Sequence, residues 1–352
     1  MVPRHDLTAG RTDRLPVPLA SGPGSERMAM TRVTAGEALA GYLNGQAAEL
    51  LRSLRLHDEN AGSADTAAEA TEAIRVLRRA ARRINGTLHT FRPLLDADWA
   101  ERFSAELGWL SGLLAREYAY AARLSRLLAA LHRLSAPADG HGSGQDSGIG
   151  AARAGALLER QLTLSRTRAH SAALRALGSA RFHAVADGVA VLASEAPVDA
   201  KAAERPASAV MRPLAELAHR CLIESVDALP LGPGALAHTL AAAEERHTTE
   251  GGHDTAWHQV RRLVRLVRYA QEALGAAGGD STALVLASHH LNRHRDAAGA
   301  AAAAAAAGRT PRIAPATAYA LGVLHADQRH EVEAARLAFC RIWHPRGEAA
   351  HG

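Results

Sequence analysis

Residues 258–268 read HQVRRLVRLVR. His258, Arg261, Arg265 and Arg268 recur at three- and four-residue intervals, with Arg262 beside them, while Val260, Leu263, Val264 and Val267 fill the opposite side. A helix turns once in about 3.6 residues, so this spacing predicts one helix with a cationic face and an apolar face. A second stretch, RVLRRAARR at 75–83, repeats the arrangement through Arg75, Arg78, Arg79, Arg82 and Arg83. Its apolar side is Ile74, Leu77, Ala81, Ile84 and Leu88. No acidic residue lies between Arg75 and Arg92. Like charges three and four apart repel along a helix, so such a row is explained by a bound anion or by a fully solvated face.

Between and around these stretches the chain reads as helix throughout. Aromatics make up only 4% of the 352 residues, too few for a large sheet protein, and Leu, Ala, Arg and Glu dominate. Thr34 and Glu37 match a capping box that opens a first helix to about residue 56. The first arginine helix spans about 66–91 and stops at Pro93. A long helix runs from Trp99 to about 134, followed by a loop over 135–150 of glycine, serine and aspartate. Helices over about 151–176 and 180–193 complete a first series. Residues 195–206 read as a linker. The second series has a helix over about 209–229, a short helix at 236–246, a break at 250–254, and the second arginine helix to about 277. Helices over 282–307 and 316–343 follow. The fold class is therefore all-α: a long helix, an arginine helix and a long helix, then a second series built alike. Two helical bundles, about 34–195 and 207–345, related by a pseudo-two-fold axis, would bring both arginine rows to one basic central groove.

Composition narrows the function. Forty-one Lys plus Arg oppose 36 Asp plus Glu, a formal charge of +5. Lys201 is the single lysine, so nearly all positive charge is guanidinium, which favours forked contacts with phosphate or carboxylate. A GC-rich genome would produce the same arginine preference. Cys221 and Cys340 are the two cysteines and provide neither a disulfide framework nor metal spacing. Residues 1–30 carry no continuous apolar segment and read as a disordered leader, with Met28 or Met30 as an alternative start. The Ala300–Ala307 run is too short to cross a bilayer. A cytoplasmic location is the expectation. Carboxylate pairs, a nucleophile elbow and a glycine-rich phosphate loop are all missing, so no enzyme is expected.

The arginine stretches resemble the CHAD family, the conserved histidine α-helical domain. Its first signature falls on Arg75, Arg78, Arg82, Arg83, Asn85, Leu88, Phe91, Arg92 and Pro93, with Arg75 in place of the family histidine and Asn85 in place of a basic residue. Its second falls on His258, Arg261, Arg262, Arg265, Arg268, Tyr269 and Glu272, followed by Leu291, His294 and Asp296. The equivalent first-half pair is lost at Tyr118 and Ala119. The resemblance covers about residues 34–345. It implies a two-bundle helical fold with a basic central groove or pore that binds inorganic polyphosphate; no cofactor or metal is expected, and such binding would allow association with polyphosphate granules. The expected anion-binding residues are Arg75, Arg78, Arg79, Arg82, Arg83, His258, Arg261, Arg262, Arg265 and Arg268. His294 and Asp296 would support them, Asp296 through an ion pair to an arginine of a neighbouring helix. His290 and His294 alone offer two metal ligands at four-residue spacing and no third. The other readings are a nucleic-acid backbone binder and a helical scaffold that has lost its ligand. Because the second-half row keeps its histidine, any site is expected to be anchored more firmly there.

Overall fold

The computed structural model describes residues 33–60, 66–135, 144–229, 250–275 and 280–343. These form an all-α protein in which the described residues carry no strand, only two isolated bridges. In chain order the helices are α1 (Ala35–Asn60), α2 (Ala67–Thr90), α3 (Ala97–Ser135), α4 (Gly144–Leu177), α5 (Ala180–Ser194), α6 (Ala200–Ala203), α7 (Ala207–Asp227), α8 (Glu250–Ala273), α9 (Asp280–Gly308) and α10 (Pro315–Trp343). A 3-10 turn, Arg92–Leu94, separates α2 from α3.

The start of α1 follows the capping chemistry. Thr34 N donates to Glu37 Oε2 at 2.9 Å, and Glu37 N donates to Thr34 Oγ1 at 3.2 Å. Asp96 does the same for α3 by accepting from Trp99 N at 2.9 Å, so that helix starts two residues earlier than its aromatic suggests. Two expected breaks are helical. Gly144–Gly150 belongs to α4 and Glu250–Asp254 opens α8, because glycine at a helix end carries a smaller penalty than in its interior and the following turns are well packed. The short helix read at 236–246 and the leader lie outside the described residues.

Three apolar clusters hold the helices together. The first joins α1, α2, the front of α3, α5 and the start of α7, and takes in Ala270 and Ala273 of α8. The second joins the end of α7 to α8, α9 and Phe339 of α10. The third joins Leu127, Ala130 and Leu131 at the end of α3 to α4, α9 and α10. Alanines 297, 300, 301, 304 and 307 are buried along α9. Their small side chains let α10 approach closely over most of its length.

The segment read as a linker is stitched in place. Ala35 N donates to Arg205 O at 2.8 Å, Ala207 N to Val33 O at 3.0 Å, and Asp199 N to Leu94 O at 2.9 Å. These bonds fix where α1 begins and where the turn after α2 lies relative to α7, and so help to aim the first arginine helix.

The two arginine helices cross directly. A Cβ at Gly86 of α2 would lie 2.6 Å from Tyr269 Cδ2 of α8, closer than packed atoms approach. Gly86→Val is therefore expected to force α2 and α8 apart and lower stability by about 2 kcal/mol, as overpacked cores do. Equilibrium urea unfolding would read this, and an unchanged midpoint would contradict the close crossing.

Candidate functional site

Each arginine helix shows its apolar side to a core and its cations to a shared cleft. On α2, Ile74, Leu77, Ala81, Ile84 and Leu88 are buried. On α8, Trp257, Val260, Leu263, Val264 and Val267 are buried. The faces left over meet across a cleft of about 370 Å³ lined by Arg78, Arg82, Asn85, Gly86 and His89 of α2, by Arg261, Arg262, Arg265 and Tyr269 of α8, and by Arg295 of α9. Its third wall is α3, through Gly108, Ser111, Gly112 and Ala115. These small residues recur at helical spacing and leave the room that the guanidiniums face. A Cβ at Gly112 would meet nothing within 4 Å.

The ten candidate residues divide into groups. Arg78, Arg82, Arg261, Arg262 and Arg265 line the cleft. Arg75 and Arg79 are exposed and pair with Glu72, at 3.3 and 3.0 Å. Arg83 and Arg268 turn instead to Glu272, at 2.6 and 3.4 Å. Glu272 also accepts from Tyr42 Oη at 2.9 Å, so this hub ties α1, α2 and α8 together. Both arginines also lie over the Tyr269 ring, 5.7 and 5.4 Å from its centroid. His258 is exposed and is not part of the cleft lining; it stands edge-on to His294, with ring centroids 6.1 Å apart.

The supporting pair has separate partners. His294 is buried, with Nε2 3.3 Å from Asp254 Oδ1. Asp254 also faces Arg336 at 2.8 Å and Arg329 at 3.5 Å, and Trp257 stacks on His294 while Arg336 covers its ring. Asp296 pairs with the adjacent Arg295 of its own helix rather than with an arginine from a neighbour, since consecutive side chains on an exposed helix face can fold together in solvent. Arg295 and His89 are cleft residues outside the candidate set. Arg295 sits in a histidine-rich run, and His89 lies seven residues beyond Arg82, on the same face.

The cleft is under electrostatic tension. Burial, together with the nearby charges of Arg82 and Arg295, pushes Arg78 down to about 10. Burial, Arg265 and Arg295 push Arg261 down to about 9. Burial likewise lowers Arg265, with Arg82 and Arg295 adding to it against Tyr269. A guanidinium does not give up its proton in proteins, so proton loss offers no relief from this repulsion. Two contacts hold the walls. Arg261 Nε donates to Asn292 Oδ1 at 2.8 Å, and Asn85 Nδ2 donates to Ser104 O at 3.0 Å. The Nε of Arg78 is buried without a hydrogen-bond partner. Asn85 thus serves as an anchor between α2 and α3, at a place where the resemblance would put a cation. Among the described residues no group of three or more His, Cys, Asp or Glu could hold a metal ion, and no helix is long and apolar enough to cross a membrane.

A family model described as CHAD domain matches residues 45–305. Among solved structures, PptA from Streptomyces chartreusis is similar, with 57% identity over 88% of this chain and 99% of that one, at a TM-score of 0.74. A comparison with curated proteins found no match.

Proposed function

The chain belongs to the CHAD family, and from that premise we propose that it binds inorganic polyphosphate in the α2–α8 cleft, without catalysing a reaction. One observation carries the reading. Six guanidiniums, those of Arg78, Arg82, Arg261, Arg262, Arg265 and Arg295, line a cleft whose lining, among the described residues, includes no carboxylate, and Arg295 shares its charge with Asp296 just outside it. Each guanidinium can fork onto the oxygens of one or two phosphates, and charge-assisted bonds of this kind are the strong ones. From Arg78 to His89 the row rises by eleven steps of one helix, about 16.5 Å at 1.5 Å per residue, which suits an extended chain of charges better than a compact anion.

The geometry favours a bare phosphate chain over nucleic acid. Binding a single strand draws on aromatic faces for base stacking. Among the described residues, Tyr269 is the one aromatic ring lining the cleft apart from the His89 imidazole, and it is wedged against Gly86 and covered by Arg83 and Arg268. Arg75 and Arg79, both paired with Glu72, and His258 lie outside the lining and are not proposed as direct contacts.

Titration of the full chain with polyphosphate of some tens of residues tests this. Six neutralised phosphates on a single strand correspond to a salt slope of about −4, so affinity is expected to fall about 300-fold between about 50 and about 200 mM salt. A fall below about tenfold would contradict a six-cation site. Equal or tighter binding of single-stranded RNA would move the assignment to nucleic acid, and binding of neither would leave a ligand-free scaffold.

A further inference from the structure

We propose that His89 is a direct phosphate contact at one end of the cleft and that it takes up a proton when the ligand binds. This rests on the polyphosphate reading above and extends it to a residue outside both arginine rows.

The placement is geometric. His89 follows Arg82 by two helical turns on the same face of α2 and lines the cleft from an exposed position. Between them, the Asn85 amide is committed to Ser104 O. Cations surround the imidazole. Arg262 faces it from α8 and Arg92 from the turn after α2. Arg92 is itself held by Glu101 of α3, at 2.7 Å. The part of α3 that lines the cleft contributes only Gly108, Ser111, Gly112 and Ala115, and although α1 and α7 also pack on α2, neither puts a residue in the lining. No carboxylate therefore reaches this end of the cleft from the lining.

In the free protein, partial burial and the guanidiniums of Arg262 and Arg92 hold the imidazole below its ordinary value and disfavour its protonated form. A phosphate chain laid over Arg82 and Arg262 reverses the local sign and favours imidazolium. The bound form then carries a proton that the free form lacks. Affinity must rise as pH falls through the bound-state value and level off below the free-state value. His258, also held low by burial and by His294, lies off the lining and contributes a pH dependence that every variant at position 89 shares. Titration of the chain's terminal phosphates is shared in the same way.

The test compares the natural protein with His89→Gln and His89→Lys, titrated with polyphosphate of some tens of residues between pH 5.5 and 8. If the ligand raises the imidazole by about one unit, the natural protein gains up to about tenfold more affinity over this range than His89→Gln does. His89→Lys should match the natural protein at pH 5.5 and exceed it at pH 8. Binding by all three with superimposable pH profiles would overturn the role of His89 while leaving the polyphosphate reading standing. Absence of binding by any of them at every pH would overturn both.

Discussion

Arg265→Glu is expected to bind polyphosphate about a thousandfold more weakly than the natural chain while unfolding at a higher temperature. The affinity loss has two parts. A charge-assisted contact contributes about 2 kcal/mol, and a carboxylate in its place adds a repulsion of similar size, together about 4 kcal/mol or a thousandfold. The gain in stability comes from the same charges. Arg265 lies among Arg82, Arg262 and Arg295, and its burial there is opposed by their repulsion. A glutamate would meet ready-made partners, contributing about 1 kcal/mol and raising the melting temperature by about 2 °C. Calorimetric titration and thermal unfolding of the same preparation read both effects. Unchanged affinity would remove α8 from the site, and a lower melting temperature would show that the cleft is not under the tension described.

Asp254→Asn should cost more stability than any other single change considered. Asp254 faces His294, Arg329 and Arg336 from the first turns of α8, and the Arg336 side chain is only 9% exposed. Removing one partner of a buried ion network strands the others, at a cost of about 3 kcal/mol. The pH dependence follows from the carboxyl itself. Burial pushes it upward, but His294, Arg329 and Arg336 prevail and leave it at about 2. Because this lies below the usual carboxylate value near 3.9 for an unfolded chain, the contribution is complete above about pH 4 and disappears as pH falls toward 2. The stability gap between the two proteins, measured by urea unfolding, should be widest at pH 7 and narrower at pH 3. A gap that is constant with pH would mean that the carboxylate charge is not what holds these helices.

The apolar periodicities made the helices legible, because burial enforces one face per helix. The cations on the opposite face are under no such constraint, and there the sequence said less. The acid-free interval begins at Arg75, and Glu72, three residues upstream of it, pairs with both Arg75 and Arg79. Glu272 stands four residues after Arg268, a spacing that local reading could use, but its stronger partner Arg83 is 189 residues away. No local rule sees that distance. The α3 wall was legible in principle, since Gly108, Ser111, Gly112 and Ala115 share a face. Small residues at helical spacing also arise from simple close packing, so only the neighbouring helices distinguish a cavity wall from a contact.

Helix α3 has a further consequence, for the order in which the protein can assemble. Its front half packs in the first cluster, in part with α1 and α2, which are already made, whereas Leu127, Ala130 and Leu131 pack against α9 and α10. Arg126 reaches across to Gln328, 202 positions later in the chain. On a ribosome, the far half of this 39-residue helix must therefore wait, without part of its apolar cover, until nearly the whole polypeptide has emerged. The cleft wall sits at Gly108–Ala115, next to the half that finds its partners early. One wall of the cleft can thus take shape on the nascent chain long before α8 arrives with the charges that complete it.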